Sequence, residues 1–223
     1  MSIKRKEILR ELRMITSGKT FDALLPPLLF ALINGLFNLD TAIVAALGLA
    51  ILLSIRRIVQ RHNYIYALGG LLGVAFAAGL TYLTRSAATY FLPTILSSGL
   101  LLLLALGTLL IGKPLAAWAS HLTRGWPLDW FWRKDVKPAY QEVTFIWSGL
   151  IALRLFIQVT LYQAGDPTRL AWINFLLGWP VILIVLVLSY LYGIWRLRQL
   201  GGPGVDEFRQ GKEPPWRGQT RGF

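Results

Sequence analysis

The sequence predicts an all-α, polytopic membrane protein with six transmembrane helices. Three observations predict it. Of 223 residues, 55% are hydrophobic and 15% charged, against about 25% charged in soluble domains. The missing charge is concentrated in six long apolar runs. The 23 Lys and Arg, against 11 Asp and Glu, fall almost wholly in alternate connections between those runs, as orientation in a bilayer requires.

Residues 23–39 carry no charge over 17 positions, 41–55 none over 15, and 63–84 none over 22. Residues 86–112 carry none over 27, 170–195 none over 26, and 143–165 span 23 with one charge, Arg154. A spanning helix needs about 17–25 apolar residues. The second run is short, but Arg56 and Arg57 can snorkel while Ile58 and Val59 extend it. The predicted spans are 21–39, 40–60, 63–84, 90–112, 141–164 and 170–195, a membrane domain over 21–196. With six helices, 20 basic residues fall on one side and 2, Arg85 and Arg169, on the other. An odd count would destroy that alternation. Both termini are therefore expected in the cytoplasm.

Outside the spans, residues 1–20 read as an amphipathic interfacial helix. Ile8, Leu12 and Ile15 share a face, and Lys4, Arg5, Lys6, Arg10 and Arg13 fill much of the rest. Two readings stay open, a helix on an anionic membrane surface and a solvated helix packed on the protein's own loops. The stretch does not read as a secretory signal, because it is charged throughout. Ser17-Gly18-Lys19-Thr20 resembles the end of a phosphate-binding loop, but Arg13 stands where that loop needs its first glycine. Residues 197–223, with Gly201-Gly202-Pro203-Gly204 and Pro214-Pro215, read as a disordered cytoplasmic tail.

Composition also narrows the chemistry. Without cysteine there are no disulfides, thiolate metal sites or iron–sulfur clusters. His62 and His121 lie in charged connections, which argues against a membrane haem. No lysine lies within an apolar run, which argues against a retinal-type Schiff base. No cofactor and no metal site are expected, and no catalytic constellation is visible.

Four polar residues inside the spans form the candidate ligand site. Arg154 sits near the midplane of the fifth span, and Gln158 is one turn further on the same face. By depth, Asn34 in the first span and Asn174 in the sixth converge on the same outer half of the bundle. Buried charge is costly and faces the interior or a cavity. Glu142, twelve residues from Arg154, is roughly 18 Å away along the helix. These groups either lock helix register by bonding each other or line a cavity for an anionic or polar ligand. Asp40 is expected to cap the second span.

The remaining features concern packing and lipid. Small residues on the third span, with Gly69-x-x-x-Gly73, predict close helix contact, and Pro180 predicts a kink inside the sixth. Six spans divide three plus three, and Leu25-Pro26 and Leu92-Pro93 weakly echo an inverted repeat. The connection 113–138 holds four tryptophans among basic residues. It reads as an interfacial re-entry with a short helix from Leu115, in preference to a partner-binding loop. Arg56, Arg57, Trp126, Trp130, Arg133 and Lys134 are its candidate contacts, with those of the second connection, for anionic lipid headgroups. Aromatics among basic residues also occur at nucleic-acid sites, but a membrane-facing loop accounts for this pattern without a nucleic-acid partner.

Leu25-Pro26-Pro27, Asn34-Gly35, Phe91-Leu92-Pro93, Gly112-Lys113-Pro114-Leu115, Trp147, Leu153-Arg154 and Leu177-Gly178-Trp179-Pro180 carry a resemblance. Over Phe21 to Trp195 the chain resembles an uncharacterised family of six-helix bacterial, mostly actinobacterial, membrane proteins. More distantly, Lys113-Pro114-Leu115, Trp147, Trp172 and Asn174-Phe175 are similar to intracellular septation protein A, an inner-membrane family linked to envelope synthesis and division. That similarity implies a non-enzymatic envelope or division role exercised through membrane partners, in the bacterial cytoplasmic membrane. A small-solute or anion transporter using the Arg154 region is the alternative. A lipid-modifying enzyme is disfavoured by the lack of an acid–base or metal cluster at the membrane boundary.

Overall fold

The computed structural model describes residues 19–60, 64–219 and 222–223. Most of the helix expected over 1–20, and His62, lie outside the described residues. All regular structure among the described residues is helical. The helices are α1 (Lys19–Leu36), α2 (Leu39–Val59), α3 (Tyr64–Thr84), α4 (Leu92–Leu110), α5 (Leu115–Arg124), α6 (Leu128–Phe131), α7 (Lys137–Gln163), α8 (Pro167–Leu176), α9 (Trp179–Leu200) and α10 (Val205–Arg209). A 3-10 turn, Ala87–Phe91, leads into α4.

Four helical segments are long and apolar enough to cross a membrane: Leu39–Val59, Ala87–Leu110, Lys137–Gln163 and Pro167–Leu200. Leu24–Leu36 and Leu68–Thr84 are shorter apolar helices. The sixth predicted span is not one continuous helix kinked at Pro180. It breaks at Leu177 and Gly178, and Pro180 stands in the first turn of α9. Proline is tolerated there because its missing N–H would have had no helical acceptor.

The chain divides into two compact units. One comprises the described residues of 1–95 together with 158–175. Its core is Phe30, Ala42, Ala46, Ala77, Ala78, Tyr90, Phe91 and Leu170. Alanines at 42 and 46 recur one turn apart on α2, giving it a narrow face that packs against larger rings. The Phe30 and Tyr90 rings stack with centroids 4.0 Å apart. The tight face of α3 is Ala77, Ala78 and Thr81; Gly69 and Gly73 are exposed, and a Cβ at either would meet nothing within 4 Å. The expected Gly69-x-x-x-Gly73 contact is thus replaced by one two turns further along.

The cap of α2 also differs from expectation. Asn38, not Asp40, closes its first turn, accepting from the Thr41 N–H at 2.9 Å. Asp40 stands in that first turn, where a negative charge suits the helix dipole, and pairs with Arg85 at 2.9 Å. Arg85 ends α3 in the left-handed region, at φ 54°.

The other unit comprises 96–157 and 176–223. Its core is Ala117, Trp126, Trp130, Phe131, Val136, Ala139, Tyr140, Leu197 and Val205. Residues 201–219, within the 197–223 segment expected to be a disordered tail, carry α10 and fold onto this core. Gly201, at φ 65°, ends α9. A Cβ at Gly202 would lie 2.8 Å from the Asp135 carbonyl oxygen, and one at Gly204 2.7 Å from that of Gly218. The glycines that suggested disorder are therefore points of close approach. The Glu207 carboxylate organises the segment, accepting from the N–H groups of Gly204 at 2.9 Å, Arg217 at 2.8 Å and Gly218 at 3.1 Å.

Candidate functional site

Two of the four polar residues proposed within the spans, Gln158 and Asn174, are hydrogen-bonded to each other. Gln158 is fully buried and donates its amide N–H to Asn174 Oδ1 at 2.6 Å. Asn174 in turn donates to the Leu170 carbonyl of its own helix at 2.9 Å. The pairing follows from sequence: Gln158 precedes Leu161 and Tyr162 by a turn, and Asn174 follows Leu170 and Ala171, so each flanks the same apolar contact. Gln158 Oε1 is buried without a hydrogen-bond donor. Asn34 is half-buried on α1. Arg154 is half-buried, one turn before Gln158 on α7, and belongs to the other unit.

In the connection 113–138, two of the tryptophans expected at lipid headgroups are in the core. Trp130 is 0% exposed and Trp126 9%. Trp130 packs edge-on to Phe131, Tyr140 and Trp126, and donates its indole N–H to the Pro203 carbonyl at 2.9 Å. The half-exposed pair is Trp118 and Trp132, with ring centroids 5.9 Å apart. The Lys113 ammonium lies 5.7 Å over the Trp132 ring. Composition could not separate these pairs, because burial of Trp126 and Trp130 depends on Leu197 and Val205, far along the chain.

The basic residues divide similarly. Lys134 and Arg56 are exposed, and Arg57 is half-buried. Arg133 is bidentate to Asp135, at 2.9 and 2.7 Å. It also lies over the rings of Phe208 and Trp216, at 5.9 and 5.2 Å. The Asp135 hydrogen bond raises its proton affinity. Arg133 therefore fastens the tail to the connection and has little of its guanidinium left for a headgroup. His121 donates a ring N–H to the Trp126 carbonyl at 2.6 Å, closing the end of α5.

A second polar cluster joins α7 to α9. Arg196 grips Glu142 through Nε at 2.9 and 3.0 Å and through Nη2 at 2.8 Å, and Tyr192 donates to the same carboxylate at 2.7 Å. Trp147 donates to Ser189 Oγ at 3.0 Å, further along both helices. The sequence reading set Glu142 aside as too far along the helix from Arg154. The available signal was the i, i+4 spacing of Tyr192 and Arg196, which puts phenol and guanidinium on one face.

These helices, loops and polar pairs lie within a region shared with known sequences. A family described as "Protein of unknown function (DUF3159)" matches residues 18–198. The chain belongs to this family. No curated protein and no solved structure matches the chain. The matched region takes in α1 to α9, hence Arg154, the Gln158–Asn174 pair and the Glu142–Arg196 cluster, and stops short of α10. The family carries no assigned chemistry, so a functional reading rests on the geometry. That geometry offers a buried polar pair between apolar helices and a large aromatic core.

Proposed function

We propose that the chain is an integral protein of the bacterial cytoplasmic membrane with six spans and both termini in the cytoplasm. On this reading it has no chemistry of its own and acts through membrane partners in envelope synthesis or division. The observation that carries it is the unit built on Trp130. A connection and a tail 73 positions apart are locked together, with Glu207 and Arg133 spent on holding the tail in place. Such ordering costs conformational entropy and yields a fixed, basic surface on the side that charge asymmetry assigns to the cytoplasm. A fixed surface suits recognition, whereas a connector between spans needs none. The short apolar helices α1 and α3 complete six spans, and the three-plus-three division with its Leu-Pro echo is part of the same reading.

The test is genetic. Deletion of the gene in its native cell is expected to alter cell length or septum placement. Trp130→Ala, inserted at the parent level, is expected to reproduce that change. Unaltered morphology and envelope composition after deletion would count against the envelope role.

A second reading is favoured by Gln158 Oε1, a buried acceptor without a donor, one turn from Arg154. On that reading the region around Arg154 serves the passage of a small anion or polar solute. Arg154→Gln that folds and inserts but loses flux in proteoliposomes supports it. Parent protein without flux excludes it.

A further inference from the structure

Helix α5 follows α4 after four residues, 111–114. Four extended residues reach at most about 14 Å, so the first turn of α5 stays close to the end of that candidate span. Its far side leads through α6 into α7, a second candidate span. Leu115, Trp118, Ala119 and Leu122 fall at i, i+3, i+4 and i+7, on one face. The other face is occupied: Ala117 and Ser120 are buried, and the Ala116 N–H donates to Thr144 Oγ1 at 3.1 Å. Within the apolar face, Leu122 is 80% exposed and Trp118 half-exposed.

Charge singles out the occupant of this face. No Asp or Glu occurs between Asp40 and Asp129. Exposed Lys113 stands before α5 and over Trp132, and Arg124 lies in the last turn of α5. An apolar stripe flanked by indole rings and cations complements the boundary between anionic headgroups and acyl chains.

We propose that α5 lies flat in the headgroup layer of an anionic bilayer. Leu115, Trp118 and Leu122 dip into the acyl boundary, and Lys113 meets lipid phosphate beside Trp118 and Trp132. The inference rests on the reading of α4 and α7 as spans. It replaces Trp126 and Trp130 by Trp118 and Trp132 as the interfacial tryptophans.

The absence of cysteine makes single-label experiments direct. Full-length protein with Leu122→Cys carries a polarity-sensitive fluorophore in nanodiscs, either of phosphatidylcholine or with a third of phosphatidylglycerol. The expected result is quenching by a lipid-borne quencher and at least a five-fold protection from aqueous iodide relative to Lys212→Cys. Protection is expected to be greater in anionic discs, and Lys113→Gln should erase that difference. A label at 122 as open to iodide as at 212, or protection independent of lipid charge, overturns the proposal. Leu103, 69% exposed in the middle of α4, serves as the control for the span. Lipid quenching at Leu103→Cys with an aqueous label at 122 counts against α5 alone, and failure at both counts against the membrane reading. Because no other protein of the native cell is present, protection at 122 does not come from a native partner of a different chain.

Discussion

Trp130 donates its indole N–H to the carbonyl of Pro203 at 2.9 Å. That bond sits inside an aromatic cluster in which the Trp130 ring centroid is 5.0 Å from that of Phe131 and 6.1 Å from that of Tyr140. Losing the ring removes packing and leaves a buried carbonyl unsatisfied. Trp130→Ala is expected to destabilise this unit by about 3–5 kcal/mol. Faster amide hydrogen exchange throughout 201–219, with the spans unaffected, would show it. Unchanged exchange in the tail would mean that the tail docks without Trp130.

The Gln158–Asn174 bond allows a double-mutant cycle. Asn174→Leu leaves the buried Gln158 amide without its acceptor. Polar pairs in bundles of this kind couple by about 1 kcal/mol. Thermal midpoints of Asn174→Leu, Gln158→Leu and the double variant should show the double change costing less than the sum of the singles. Additive costs would mean that the two side chains do not depend on one another.

Glu207 gives the tail a pH dependence. The backbone N–H groups of Arg217, Gly204 and Gly218 hold its carboxyl below the ordinary glutamate value of 4.5. Because the folded carboxyl is the stronger acid, its contribution is full above 4.5 and is lost as pH falls through the depressed folded value. Protection of the Arg217 and Gly218 amides, corrected for intrinsic exchange, should fall on acidification through that window. Glu207→Gln should lower the protection already at neutral pH and flatten its pH dependence.

The two small-residue faces of α3 predict opposite responses. A Cβ at Gly73 meets nothing within 4 Å, so Gly73→Ala should stabilise the helix by up to about 1 kcal/mol. Ala77 and Ala78 are buried, so Ala77→Leu should overpack the core and cost about 1–3 kcal/mol. Thermal unfolding in detergent checks both; a costly Gly73→Ala would place the close contact of α3 back on the glycine face.

How much of this was legible follows from the range over which each feature is decided. Helix positions are local: a charge-free run fixes where apolar helix must form, and α2, α3 and α7 begin and end within a few residues of the predicted bounds. The break at Gly178 was half legible, because Pro180 was visible but its place in a first turn depends on where α8 stops. The Gln158–Asn174 contact could be anticipated from depth. Which way the Asn34 face of α1 turns could not, since depth does not fix the rotation of a helix. The buried tryptophans and the folded tail were not legible, because each is decided by the other. Trp130 is buried by Pro203 and Val205, and those residues are ordered by Trp130 and Asp135. Composition reported only a Trp-rich loop and a Gly- and Pro-rich end.

In the proposed topology α1 to α9 cross a bilayer an even number of times, with the basic connections inside. Arg169 and Lys212 stand on opposite sides in that account, and the chain has no cysteine of its own. In intact cells a membrane-impermeant thiol reagent should label Arg169→Cys and should reach Lys212→Cys only after permeabilisation. Labelling of the Lys212→Cys variant in intact cells, or protection of the Arg169→Cys variant there, would contradict it.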